Sequence, residues 1–109
     1  LTDAGTKEWE TAIKFFLTHF DYDLIPFMIA SFFAESIGVD EAIKCLEERL
    51  DYLKKNSKGL TRQIEELEVE KDIPYYVIGN VQHNALIVET EITVTQQMIA
   101  KYKSRLFDQ

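Results

Sequence analysis

Two stretches of this chain repeat apolar residues in alternating steps of three and four without a slip, and that rhythm calls for long helices before anything else is considered. In the first, Ile43, Leu46, Leu50, Leu53, Ser57, Leu60, Ile64 and Leu67 follow one another, with one polar intrusion at Ser57. In the second, Ile78, Val81, Ala85, Val88, Ile92, Thr95, Ile99, Tyr102 and Leu106 do the same. Such steps place each series on one helix face and make it the seam of a helical pair.

Two local conflicts test this reading. Asn56-Ser57-Lys58-Gly59 is a run of poor helix formers. A hairpin turn there would release the phase of the repeat, yet the phase continues, so one helix from Asp40 to about Glu70 is expected. Between Ile87 and Thr95, Val88, Thr90, Ile92 and Val94 also alternate as a strand would. The seven-residue register holds on both sides, so helix is expected here too, with branched side chains at packed positions. Asp72-Ile73-Pro74 opens this second helix as a cap followed by a first-turn proline. On the outer surface, Asp40 with Lys44, Lys44 with Glu48, Asp51 with Lys55 and Arg62 with Glu66 stand four apart, the spacing of helical ion pairs.

Ahead of the long helices lie two shorter ones. Thr2 or Asp3 can cap a helix whose apolar positions Trp9, Ile13, Phe16 and Phe20 share a face. His19 to Asp23 reads as a turn, with Asp23 capping a second helix that tolerates Pro26 in its first turn. That helix (Leu24, Ile25, Phe27, Met28, Ile29, Phe32, Phe33, Ile37) is apolar nearly all round and is expected to be the most buried element. Gly38 is a natural stop before the helix that starts at Asp40.

Composition narrows the function. With 109 residues there is room for one domain, and two cores would each be too small. Twelve basic against 19 acidic side chains give a net charge of −7, which argues against direct phosphate binding by this chain. The single cysteine, Cys45, excludes an intrachain disulfide or a multi-cysteine zinc site and is expected to be a buried filler. The most apolar stretch, Leu24 to Ala34, falls short of the roughly 20 residues a bilayer span needs.

Length points to self-association. A helix from Asp40 to Glu70 is roughly 45 Å long at about 1.5 Å per residue, whereas a compact domain of this size has a radius of gyration of roughly 13–14 Å. The long helices must therefore project beyond one globule. They can cover each other, and a second copy of the chain is the simplest further partner, so a homodimer is expected. Which seam faces its own chain and which faces the partner stays open.

No enzymatic constellation is present. Cys45 has no histidine near it in sequence, His83 has no ligand-type partner one turn away, and no glycine-rich phosphate loop occurs. His19, Asp21 and Asp23 alternate, but a helix-terminal histidine followed by capping aspartates explains them better than a metal site. The chain is expected to be non-enzymatic, without cofactor or metal. Aromatic residues concentrate early: Trp9, Phe15, Phe16, Phe20, Tyr22, Phe27, Phe32 and Phe33. One reading is a core where short helices pack on long ones. The other is a pocket for an apolar or aromatic effector, lined by Trp9, Phe16, His19, Phe20 and Tyr22, with Trp9, His19 and Tyr22 as polar anchors. The acidic run Glu65 to Asp72 reads as a solvated helix end, while Lys101, Lys103 and Arg105 complement the dipole of the last helix.

The opening Leu1-Thr2-Asp3-Ala4-Gly5-Thr6-Lys7-Glu8-Trp9 resembles the end of a winged helix-turn-helix domain, where the last wing strand runs through Leu-Thr-x-x-Gly into a linking helix. Asp40-Glu41-Ala42-Ile43-Lys44-Cys45-Leu46-Glu47-Glu48-Arg49-Leu50 is similar to the stretch that opens the long helix in PadR-type regulators. The apolar Leu24 to Phe33 block and the late Glu89 to Leu106 helix fit in order and length. Gln97-Met98 and Tyr102 stand where many members carry a tryptophan. The chain thus resembles the C-terminal domain of a PadR-family transcriptional regulator. The resemblance implies that residues 1–5 end a wing, that 6–20 form the linking helix, and that 1–109 is one dimerisation and effector domain. It also implies a cytoplasmic bacterial protein that reaches operator DNA only through a preceding winged helix domain. Its effector would be an aromatic or hydrophobic small molecule. The chain opens on Leu1 without a methionine and is expected to be cut from something longer.

The expected architecture is all-α: two short apolar helices packed on two long heptad-patterned helices, antiparallel and coiled-coil-like, in a dimer. The competing functional reading is a free-standing helical adaptor or structural protein with no transcriptional role.

Overall fold

The computed structural model describes residues 2–21 and 23–107. The expectations for Leu1, for Tyr22 and for the side chain of Leu106 fall outside the described residues. Within them the chain is helical, with no strand: α1 (Asp3–Thr18), α2 (Ile25–Phe32), a 3₁₀ turn (Ala34–Ile37), α3 (Val39–Glu68) and α4 (Tyr75–Phe107).

Each boundary has a local cause. The Thr2 hydroxyl accepts a hydrogen bond from the Gly5 N–H at 3.0 Å, so α1 starts three residues before the expected linking helix, inside the stretch assigned to the wing. It ends where His19 turns extended, with the His19 N–H still donating to the Phe15 carbonyl. In the turn, Asp21 accepts from the Asp23 N–H and Asp23 accepts from the Ile25 N–H, which starts α2 with Pro26 in its first turn. Gly38 has φ of +94°, a conformation that side chains disfavour, and its carbonyl then accepts from the Ala42 N–H to begin α3.

Helix α3 runs through Asn56–Gly59 without interruption, and α4 is helical throughout the β-branched window 87–95, both as the register requires. The two long helices pack against each other antiparallel: Glu47 early in α3 pairs with Lys103 late in α4 at 3.5 Å. The result is elongated, with extents of 59 × 31 × 17 Å and a radius of gyration of 17.3 Å. Helix α1 and the 3₁₀ turn pack over the first half of α3, α2 packs on both of them, and together they make a head. The rest of the hairpin is a two-helix stalk.

The head contains the core: Ile13, Leu17, Phe27, Ala30, Ala34, Ala42, Ile43, Cys45, Leu46 and Ile99. Cys45 is buried within it. Three expectations are corrected. The inward face of α1 is Ile13 and Leu17, while Trp9 and Phe16 stay substantially exposed, because α1 meets α3 about a quarter-turn away from the larger aromatics. Helix α2 is the least covered of the helices by its apolar content: only Phe27 and Ala30 face inward, and Ile25, Met28, Ile29 and Phe32 face out. An all-apolar helix needs cover on every side, and this head supplies it on one. Of the four expected surface ion pairs, Asp51–Lys55 forms at 3.1 Å, whereas Lys44 turns back to Glu41 and the Asp40–Lys44, Lys44–Glu48 and Arg62–Glu66 pairs do not close. Among the described residues, no helix is long and apolar enough to cross a membrane.

Candidate functional site

The seam residues converge within one chain. Ile43, Leu46, Leu53, Val81, Val88 and Ile99 are buried between α3 and α4 or under the head, and Leu50, Leu60, Ile64, Leu67, Ile78, Ile92 and Tyr102 are partly covered. Lys103 and Arg105, expected to complement a helix dipole, also tie α4 to the head by pairing with Glu47 and with Glu35.

The junction of head and stalk holds a group that heptad reading does not single out. Arg49 is fully buried. Its guanidinium donates to the His19 carbonyl at 2.5 Å and to Glu91 Oε2 at 3.2 Å. It also lies over the Phe27 ring, 3.6 Å from the centroid, with the Phe20 ring at 5.5 Å. One side chain thus touches the end of α1, the α1–α2 turn, α2 and α4. Burial pulls the guanidinium below its ordinary pKa, and the hydrogen bond and charge of Glu91 oppose that fall. Its Nε has no hydrogen-bond partner among the described residues. Beside it on α4, the buried Thr95 hydroxyl donates to the Glu91 carbonyl at 2.7 Å.

A signal for this pair exists in the sequence. Leu46, Arg49 and Leu53 step by three and four, as do Val88, Glu91 and Thr95, so opposite charges occupy matching flanks of the two seams. A two-helix pair leaves such flanks in water. Here α1 and α2 add a third layer that covers them.

The expected effector-pocket residues do not share one cavity. Trp9 meets the edge of Phe33 at 5.0 Å and its Nε1 donates to the Ser36 hydroxyl at 3.3 Å. His19 stacks on Phe15 at 4.1 Å, and its Nδ1 lies 3.0 Å from the Phe15 carbonyl, so that nitrogen carries the proton. Phe20 is held under Arg49. Phe16 and His19 do line a common cleft with Phe15, Asp21, Asp23, Pro26 and Phe27, but its volume is about 60 Å³. Ligand pockets run to roughly 300–1,000 Å³, so this cleft holds a water or two and no drug-sized effector. Larger concavities are open ones, among them a groove of about 320 Å³ along Ile25, Met28, Ile29, Phe32 and Phe33, one of about 440 Å³ along α1 at Lys7, Thr11 and Phe15, and one of about 340 Å³ between α3 and α4 at Leu50, Asp51 and Ile99. The carboxylates of Asp21 and Asp23 are taken up by the turn, and among the described residues no three His, Cys, Asp or Glu side chains are grouped to hold a metal.

Comparison with protein-family models, with curated proteins and with solved structures finds no match to this chain. The functional reading therefore rests on its own residues and geometry.

Proposed function

We propose that this chain is the association and small-molecule-responsive domain of a PadR-type DNA-binding transcriptional regulator. The observation that carries the reading is the shape: a three-element head on a stalk of two long helices, 59 Å from end to end. Such a shape suits a spacer between subunits better than a catalytic body. The net charge of −7 supports a reading in which this chain does not itself contact the DNA phosphates. Helix α1 supports a coupling role, since it packs on α3 through Ile13 and Leu17 and ends on the carbonyl held by Arg49. A ligand that prised α2 from the head would open the small cleft at Phe16 and His19 and shift α1, giving the differential contacts that coupling requires.

The deciding experiment is to sequence the coding region upstream of Leu1. A winged helix domain of about 70–90 residues, the length of one small domain, supports the regulator. A start codon at or near Leu1 sinks it and favours the adaptor. Titration of aromatic acids and hydrophobic cations against Trp9 fluorescence tests the sensing role separately, and the absence of any saturable change removes it.

A further inference from the structure

We infer that a second copy of this chain docks on the outer face of α2, so that association runs through the head and not through the long seams. Ile25, Met28, Ile29 and Phe32 are 63, 62, 56 and 87% exposed, and the partly exposed Phe33 and Trp9 continue the surface. Summed over side chains of this size, the face offers on the order of 600–700 Å² of apolar surface. That exceeds the roughly 300–600 Å² of the largest patch on an ordinary monomer and approaches the roughly 800 Å² per partner of a standard interface. The seams of α3 and α4, by contrast, face each other, and among the described residues none of their apolar side chains is as exposed as these four.

The shape and charge of the face point to a copy of itself. A two-fold interface must be self-complementary, so a surface needs both a projection and a recess. Phe32 is the projection, and the groove of about 320 Å³ that it shares with Ile25, Met28, Ile29 and Phe33 is the recess. In a chain of net charge −7, self-association favours the least charged surface, and α2 carries no charged residue at all. The acidic groups at its rim are engaged: Asp21 and Asp23 by backbone N–H groups, and Glu35 by Arg105. The basic residue at the same rim, Arg105, is taken up by Glu35, which leaves little to draw an anionic membrane or nucleic acid. The Ser31 hydroxyl, the polar side chain of α2, is turned to the Met28 carbonyl.

This inference rests on the association reading and locates it. The test is sedimentation velocity on the chain, with a dilution series followed by the fluorescence of Trp9, its single tryptophan. The wild type should sediment at twice 12.7 kDa at micromolar concentration. Phe32→Asp and, separately, Met28→Lys should weaken the dimer by roughly 100-fold or more, since each buries an unpaired charge twice across a two-fold axis. Both positions are exposed in the single chain, so helical circular dichroism should be unchanged. Leu86→Lys and Tyr52→Lys, at exposed positions of the long helices and not on α2, should leave the dimer intact. A dimer that survives both α2 variants overturns the inference while leaving the association reading standing. A wild-type monomer overturns both, including one that floats with phosphatidylglycerol vesicles, which would assign the face to lipid.

Discussion

In the head half of α3, Ala42, Ile43, Cys45, Leu46, Arg49 and Leu53 are buried; past Leu53 the same rhythm continues through Leu60, Ile64 and Leu67, and each of these is only partly covered. Helix α4 mirrors this, with Val88, Glu91, Thr95 and Ile99 buried toward the head and Val81 alone buried toward the tip. The repeat is equally regular in both halves. Regularity therefore specifies which helix faces which, and a third layer decides whether the contact is dry. In the head α1 and α2 supply that layer. In the stalk nothing among the described residues does, and two helices alone leave water along both flanks of their seam.

The sharpest way to break this contrast is at the junction. Arg49→Met should destabilise the chain by about 3–5 kcal/mol in chemical denaturation, because it strands Glu91 in a buried site and leaves the His19 carbonyl unpartnered. Arg49→Met combined with Glu91→Leu should recover most of that loss. A near-neutral single variant would mean that the head is held by its apolar core alone. A smaller effect separates the two regions directly. Leu53→Ala, at a fully buried position, should lose about 2–5 kcal/mol, and Leu60→Ala less than half as much. Equal losses would erase the distinction between head and stalk.

The smallest effect is a pH dependence. Burial raises the pKa of Tyr102, which packs on the head core. Below the ordinary phenol value of about 10, folded and unfolded chains both hold the proton. Above it the unfolded chain loses its proton first, so this contribution to stability falls as pH rises through the raised folded value. Thermal melts above about pH 10 should show a shallower alkaline decline for Tyr102→Phe than for the wild type.

Much of the fold was legible because it rests on periodicity. The uninterrupted passage through Asn56–Gly59 and the helical state of Ile87 to Thr95 follow from the phase of the repeat, which overrides weak local propensity over so many turns. Helix α2 was misjudged because apolarity states what a helix requires of its surroundings, not whether one chain provides it. The same limit applied to the aromatic residues. Composition gathered Trp9, Phe16, His19, Phe20 and Tyr22, but Trp9 and Phe16 lie on α1 and Phe20 lies past its end. Trp9 leaves toward Phe33 while Phe20 lies beneath Arg49. Arg49 and Glu91 stayed hidden because a charge beside a seam is ordinarily solvated, and only the third layer turns this pair inward.

The buried ion pair also fixes a zero point along the hairpin. Its partners are 42 positions apart in sequence, and the whole stalk lies between them. Sliding α3 past α4 by one heptad, roughly 10 Å, would pull the two charges apart and leave each without its partner, so a single alignment is selected at the base whatever happens at the tip. Arms pinned in this way can lengthen together. Matched seven-residue insertions after Leu53 and before Val81 should extend the stalk by roughly 10 Å with the head unchanged, whereas an insertion in one arm alone should buckle it. The chain is built as a ruler that can be recut at the far end while its mark at Arg49 stays in place.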